Sequence, residues 1–298
     1  AVGGWALTAN TIGIYNSSFG YRALTTNTTG SNNSAFGYAA LKLNTIGINN
    51  SAFGYQALIA NTTGSYNTAV GNKSLGSNTF GVYVTAVGFR SLGLNTTGVR
   101  NTAVGSYSQY TSTFGNYNTS LGTDTLYANI TGSYNTAVGS KALQNNTTNN
   151  NSAFGYKALF ANTTGVNTAV GFKALSLNTI GSNNSAFGTA TLQNNTIGNN
   201  NTAFGCTVLF NNITGANNSA FGYSALINNT TSNNSAFGYR SLFNNTIGTV
   251  NSAFGKDSLY NNTTGSYNTA VGYSALYSNT TGINNSAFGY QALLSNTG

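Results

Sequence analysis

Side chains that could perform acid–base, nucleophilic or metal chemistry are nearly missing from this sequence of 298 residues. It has no histidine, one cysteine at Cys206, and only two acidic residues, Asp124 and Asp257, which lie far apart along the chain. General acid–base catalysis needs a positioned pair of titratable groups, and a metal site needs a cluster of ligands. The sequence therefore predicts that the chain is not an enzyme and holds no metal or cofactor.

Basic side chains are the charged groups that could attract a partner, since ten Lys and Arg against two acids give a net charge of +8. Seven of them recur at one position of a repeating unit described below: Arg22, Lys73, Arg90, Lys141, Lys157, Lys173 and Arg240. Such a column could attract acidic polysaccharide, lipopolysaccharide or nucleic acid. The simpler interpretation is a solvated edge that keeps the protein soluble. We expect an exposed basic column without a nucleic-acid partner.

Asparagines offer a site for covalent sugar. Ten of them, all at one repeat position, begin the sequence Asn-x-Thr: Asn27, Asn61, Asn95, Asn129, Asn146, Asn162, Asn212, Asn229, Asn262 and Asn279. This triplet is the acceptor for N-glycosylation, but it also arises by composition in a repeat rich in Asn and Thr. Two interpretations stay open for this column: exposed glycosylation sites or an inward ladder of asparagines.

A repeating unit of 17 residues positions all these side chains. Its most regular copy covers residues 51–67, SAFGYQALIANTTGSYN, and we number unit positions 1 to 17 from Ser51. Copies begin at Ser17, Ser34, Ser51, Thr68, Thr85, Thr102, Thr119, Thr136, Ser152, Thr168, Ser185, Thr202, Ser219, Ser235, Ser252, Thr269 and Ser286, after a partial copy over residues 1–16. A short period over the whole length predicts a repeat architecture. We expect one continuous array over residues 1–298, as a segment of a longer chain.

The length and composition of the unit predict its fold. Helical hairpin repeats need roughly 30 or more residues, and abundant Gly and Asn with Val, Phe, Tyr and Thr favour strands and turns. We expect a strand at positions 1 to 5, a second short strand at 7 to 10 and a turn at 11 to 17. One coil per unit gives an all-β, parallel β-solenoid, or β-roll, of about 18 coils with 16–17 residues each, stacked about 4.8 Å apart.

Two apolar positions predict the core. Position 3 is always Phe, Val or Leu, and position 8 is Leu in every copy but one, where Gln109 stands. The predicted core residues are Phe19, Leu24, Phe36, Leu41, Phe53, Leu58, Phe154, Leu159, Phe221 and Leu226. Small residues at positions 2 and 4 would then share the other face of the strand, where close approach of a second chain is possible. This predicts a homo-oligomer, either a trimer or a filament.

The recurring segments Asn50-Ser51-Ala52-Phe53-Gly54 and Asn67-Thr68-Ala69-Val70-Gly71 resemble the strand motif in the head domains of trimeric autotransporter adhesins. The longer unit, NTAVGYxALxxNTTG, also resembles repeat arrays in phage tail-fibre proteins and large bacterial surface proteins. The resemblance covers the whole chain. It implies a left-handed roll, association as trimers, and a location outside the cell, on a cell or virion surface.

The sequence thus predicts an extracellular structural segment, a rigid rod that self-assembles into a fibre or filament. An alternative is an adhesin or tail-fibre segment that binds surface glycans, with its specialised patch in the irregular copies that begin at Thr68, Thr85 and Thr102. A third candidate is ice binding by the threonine column at position 12. No stretch approaches the roughly 20 apolar residues of a membrane helix, so we expect no membrane insertion.

Overall fold

The computed structural model describes residues 1–297, which contain 17 short β-strands and no helix. The strands are β1 (Ser17–Phe19), β2 (Ser34–Phe36), β3 (Ser51–Phe53), β4 (Thr68–Val70), β5 (Thr85–Val87), β6 (Thr102–Val104), β7 (Thr119–Leu121), β8 (Thr136–Val138), β9 (Ser152–Phe154), β10 (Asn167–Val170), β11 (Asn184–Phe187), β12 (Thr202–Cys206), β13 (Ser219–Tyr223), β14 (Ser235–Phe237), β15 (Ser252–Phe254), β16 (Thr269–Val271) and β17 (Ser286–Phe288). Each strand covers positions 1 to 3 of one repeat, and four of them extend further. The predicted all-β, parallel solenoid is confirmed, while its handedness remains a prediction.

The chain forms two compact units, one over Ala1–Asn151 with strands β1 to β8 and one from Ser152 with strands β9 to β17. Within each unit, consecutive strands pair in parallel and in register, so that residues at the same repeat position are neighbours. Ala52 of β3 pairs with Ala69 of β4, and Ala186 of β11 pairs with Ala203 of β12. Each repeat is therefore one coil of a solenoid.

The strands turn their small residues inward. In β3, Ala52 is buried whereas Phe53 is 41% exposed. The predicted core is therefore wrong at position 3: Phe19, Phe36, Phe53 and Phe154 are exposed and Phe221 is half-buried. Neighbours along a strand point to opposite faces, so burying the alanine column necessarily puts the phenylalanine column outside.

The interior is filled by position 8 together with small and polar side chains. All five predicted core leucines lack accessible surface: Leu24, Leu41, Leu58, Leu159 and Leu226. In the coil of residues 51–67, the side chains of Ala52, Ala57, Asn61 and Asn67 are as fully buried as that of Leu58. Because leucine and two asparagines already occupy this narrow cross-section, a methyl group is what fits at position 2.

The second half of the coil is a turn, so the strand predicted at positions 7 to 10 is wrong. Gln56 and Leu58 have φ angles of +54° and +53°, which interrupt an extended backbone. Left-handed backbone costs a non-glycine residue about 1–2 kcal/mol. Hydrogen bonds between coils offset this cost, since the Gln56 amide donates to the Tyr38 carbonyl and the Leu58 amide to the Ser74 carbonyl at 2.8 and 2.9 Å.

Glycine is required at two positions for different reasons. Gly54, at position 4, has φ +138°, a conformation that L side chains rarely adopt. Gly64, at position 14, lacks a positive φ, but an added Cβ would lie 2.4 Å from Asn61 Oδ1 and 2.5 Å from the Gly81 carbonyl oxygen. Position 14 is thus glycine because the coils approach closely there.

Three coils have 16 residues, and their missing residue falls in the turn. In the coil of residues 219–234, β13 and β14 keep their register, with Ala220 opposite Ala236. The carbonyl of Thr231 takes over the role of the absent glycine and accepts hydrogen bonds from Asn229 Nδ2 at 2.7 Å and Asn218 Nδ2 at 2.8 Å. Shortening the turn therefore leaves the strand ladder undisturbed.

Candidate functional site

The asparagines of position 11 lie inside the solenoid. None of the ten candidate glycosylation residues has accessible surface: Asn27, Asn61, Asn95, Asn129, Asn146, Asn162, Asn212, Asn229, Asn262 and Asn279. Asn61 donates from Nδ2 to Asn44 Oδ1 at 2.7 Å and to the Gly64 carbonyl at 2.8 Å. An attached glycan has no room in this folded interior, so the glycosylation prediction at these residues is wrong and the ladder interpretation is right.

The outward side chains of position 3 form what we call the phenylalanine strip of each unit. In the second unit, Phe187, Phe204, Phe221, Phe237 and Phe254 make an unbroken stack with ring centroids 4.4–5.0 Å apart and ring planes within 3–11° of parallel. In the first unit, Phe36 and Phe53 stack at 5.0 Å, and the strip continues as Val70 and Val87. The strip is an apolar surface ordered by the register of the strands.

The neighbours of the strip are uncharged at position 1 in every strand, and Lys256 is the one charged residue at position 5. Position 1 is always Ser or Thr, and the adjacent position 5 carries stacked tyrosines in several coils. The ring centroids of Tyr38 and Tyr55 are 5.2 Å apart, and those of Tyr223 and Tyr239 are 5.4 Å apart. One face of each unit is therefore aromatic and free of charged groups across positions 1 and 3.

The basic column of position 6 faces outward, but most of its members are partly covered. Arg22 is exposed, and the other six are half-buried: Lys73, Arg90, Lys141, Lys157, Lys173 and Arg240. Several lie over the ring of the preceding residue. The Arg22 guanidinium is 5.3 Å from the Tyr21 centroid and the Lys173 ammonium 5.2 Å from the Phe172 centroid. These cation–π contacts hold the side chains against the surface.

One basic residue of the column has an acidic partner. Arg240 Nε donates to Asp257 Oδ1 at 2.9 Å, and the side chain of Asp257 is only 7% exposed. This hydrogen bond raises the pKa of the Arg240 guanidinium above its usual value. It is the single ion pair within residues 1–297, so no other basic residue of the column has a carboxylate within ion-pair distance.

Surface cavities open beside this column, and two of them lie over small residues at position 9 next to a pair of basic residues. The first, which we call the glycine notch, has a volume of about 200 Å³ and lies where Gly76 and Gly93 replace larger residues; Lys73, Arg90 and Tyr110 line it. The second, the serine notch, belongs to the second unit, has about 180 Å³ and is formed over Ser176, with Lys157, Lys173 and Phe160 in its lining. The glycine notch falls in the irregular copies from which the sequence predicted a specialised patch.

The coil of residues 102–118 replaces two of the three usual large interior side chains and keeps Asn118. Gln109 stands in the leucine column and Ser112 in the asparagine column, and both are fully buried. Gln109 donates from Nε2 to Ser120 Oγ at 2.8 Å, but its Oε1 has no partner. Oδ1 of Asn95 is also unpaired, because serine is too short to supply the amide donor of the ladder. The sequence marked this coil through Gln109, but the broken ladder is visible only in the structure.

The threonines of position 12 use their hydroxyl groups within the stack. Thr45 Oγ1 donates to the Thr62 carbonyl at 2.9 Å, and Thr62 Oγ1 donates to the Thr79 carbonyl at 3.2 Å. These side chains are half-buried. The column therefore directs its hydroxyl protons to backbone carbonyls of the next coil.

Comparison with known proteins found no matching family model, no similar curated protein and no similar solved structure. Over residues 1–297, no helix has the length and hydropathy needed to cross a membrane, and no three His, Cys, Asp or Glu residues gather where they could hold a metal ion. The candidate sites are thus defined by surface geometry alone: the phenylalanine strip, the basic column and the two notches.

Proposed function

We propose that this chain is a structural segment of an extracellular fibre or filament and that it self-assembles through the phenylalanine strip. The supporting observation is the strip itself, an apolar column that every coil repeats and that no charged residue interrupts. Its role is mechanical, without catalysis. Backbone ladders and the buried leucine and asparagine columns provide stiffness and protease resistance, and the strip provides the contact between copies.

The size of the strip supports a protein partner. At about 4.8 Å per strand and about 10 Å for three residues, the strand face that carries the strip, including the Ser and Thr of position 1, covers about 400 Å² in each unit. Apolar patches of roughly 300–600 Å² are the largest on typical monomers and are often functional.

A second copy of the same chain is the partner that best fits this surface. The strip repeats at the strand spacing, and a copy carries the same spacing on the same residue types. Flat, stacked rings on one copy can therefore meet an equally spaced row on the other without leaving a buried charge unpaired. Contact through position 3 replaces the contact through Ala and Gly that we expected from the sequence, because the alanines of position 2 are interior and the glycines of position 4 are half-buried in all but the end coils.

Sedimentation velocity of the full chain tests the proposal. Wild-type protein should form oligomers, and replacing both Phe204 and Phe221 with glutamate should leave monomers of unchanged circular dichroism, because these rings are not part of the core. The matched control replaces Ile180 and Ile197 with glutamate, since they are 55% and 44% exposed on another column of the same unit. Assembly should survive in the control. A wild-type chain that stays monomeric at high concentration would rule the proposal out.

A further inference from the structure

We propose that the glycine notch and the serine notch each bind one acidic sugar residue, a hexuronate, of an anionic polysaccharide. The carboxylate would meet the basic residues of position 6, and the ring would occupy the space left at position 9. This inference goes beyond self-assembly. It rests on different residues from the phenylalanine strip, so either can fail without the other.

The glycine notch is a gap in an otherwise filled column. Position 9 carries Ile59 in the coil before the gap and Tyr110 in the coil after it, while Gly76 and Gly93 leave the space between them open. A Cβ added to Gly76 would meet nothing closer than the Lys73 carbonyl oxygen, 3.2 Å away. The opening therefore depends on missing side chains and is not imposed by the backbone.

Tyr110 closes one end of this notch with its ring. Tyr127 of the next coil stacks on it, with centroids 5.6 Å apart and planes 28° from parallel. The opposite side lies against Gly93, where an added Cβ would be 2.7 Å from Tyr110 Cε2. Aromatic surface next to glycine and Ile59 suits the apolar C–H face of a sugar ring, which would stack there.

Two basic side chains meet at the rim with no acid to neutralise them. Lys73 and Arg90 occupy the same position in consecutive coils, so their backbones are about 4.8 Å apart. That spacing lets one carboxylate accept hydrogen bonds from both side chains, and the planar guanidinium of arginine matches carboxylate geometry. An anionic ligand thus supplies the charge that the protein leaves unpaired.

The second unit builds the serine notch from the same elements. Lys157 and Lys173 are again basic residues at position 6 of consecutive coils, and Ser176 is the small residue at position 9. Phe160 provides the aromatic wall, and the Lys157 ammonium lies 5.3 Å from its centroid. Recurrence of a paired basic rim, a small floor and an aromatic wall favours one type of ligand for both notches.

A polysaccharide fits this geometry better than a nucleic acid. Proteins that bind single strands combine stacking residues with a basic groove that follows the backbone. In the first unit, Gln56 precedes the two basic residues in the column, and Tyr107 and Asp124 follow them. The basic rim of the glycine notch therefore spans two coils only, which suits one acidic residue and not a continuous phosphate chain.

Binding of the full chain to immobilised polygalacturonate, measured by biolayer interferometry, tests the inference. The methyl ester of the same polymer keeps the ring and removes the charge, and it should bind at least about tenfold more weakly. Dextran sulfate and single-stranded DNA serve as other polyanions. If either binds as well as polygalacturonate, net charge explains the attraction and the inference is wrong.

Two variants and one control separate the notches from the background charge. Replacing both Lys73 and Lys173 with glutamine should weaken binding about tenfold or more, whereas replacing both Arg22 and Lys42 removes the same charge elsewhere and should change it little. A second variant fills both notches with Gly76→Ile and Ser176→Phe, the side chains that Ile59 and Phe160 supply at position 9 of the preceding coils. It keeps the net charge and should also abolish binding. The inference would be overturned if the Lys73 and Lys173 variant and the Arg22 and Lys42 control lost the same affinity, or if the variant with filled notches still bound the polymer. Circular dichroism verifies folding. If the variant with filled notches misfolds, the comparison of the Lys73 and Lys173 variant with its control tests the inference by itself.

Discussion

The side-chain amide of Asn61 donates a hydrogen bond of 2.7 Å to Oδ1 of Asn44, the residue at the same position of the preceding coil. Asn61 Oδ1 in turn accepts from Asn78 Nδ2 at 2.9 Å, and the Asn61 amide also closes its own turn on the Gly64 carbonyl. One buried side chain therefore ties three coils together, as in the asparagine ladders of stacked, in-register strands.

Asn61→Ala should open the stack locally. The substitution leaves Asn44 Oδ1 buried without its donor and removes the acceptor of Asn78 Nδ2, which should cost about 1–3 kcal/mol. The Gly64 carbonyl keeps the hydrogen bond that Asn50 Nδ2 donates at 2.8 Å. Because coils contact only their neighbours, hydrogen exchange of backbone amides should accelerate in adjacent coils and not throughout the unit. Asn72→Ala, at an exposed position, is the control and should leave exchange unchanged. Equal protection in both variants would contradict the role of the ladder.

Leu58→Glu and Phe53→Glu should have opposite outcomes. Leu58 has no accessible surface, so a glutamate there buries a charge and should cost at least about 3 kcal/mol, which limited proteolysis would detect as new cleavage near this coil. Phe53 is 41% exposed, and its replacement should leave the protease resistance of the monomer intact. If the Phe53→Glu variant were cleaved as fast as the Leu58→Glu variant, the assignment of the phenylalanine column to the surface would be wrong.

Gly64→Ala should destabilise the first unit, whereas Gly76→Ala should not. A methyl group on Gly64 would overlap the Asn61 amide oxygen and the next coil, so overpacking should cost about 1–3 kcal/mol. The methyl group on Gly76 extends into the open notch and should change the free energy of unfolding by less than about 1 kcal/mol. Urea denaturation followed by circular dichroism measures both, and equal midpoints would refute the close approach at position 14.

Ser112→Asn should stabilise the protein by about 1 kcal/mol, because it restores the missing donor to the buried and unpaired Oδ1 of Asn95. Slower hydrogen exchange in the coils on either side of residue 112 would report the repaired ladder. Ser106→Asn introduces the same side chain into the same coil at position 5, outside the ladder, and should have no such effect. A destabilising Ser112→Asn would show that the column cannot accept the longer side chain here.

Several features of the fold follow from the sequence alone. A period of 16–17 residues with leucine at position 8 predicts a solenoid coil, because so short a unit cannot bury a helical hairpin. The leucine column was the expected interior, since position 8 is leucine in every copy but one whereas the positions that follow it vary. Gly76 and Gly93 at position 9 also distinguish two of the irregular copies in the sequence.

Only the tertiary structure decided which face of the strand lies inside. A strand alternates its side chains, so two assignments are self-consistent, and choosing the other one moves every side chain to the opposite face. Hydrophobicity favoured Phe53 as the interior residue, but the left-handed backbone at Gln56 and Leu58 closes the coil so tightly that leucine and two asparagines fill it. Ala52 is what fits beside them. The same closure turns Asn61 inward, and it leaves the phenylalanine strip and the notches on the surface.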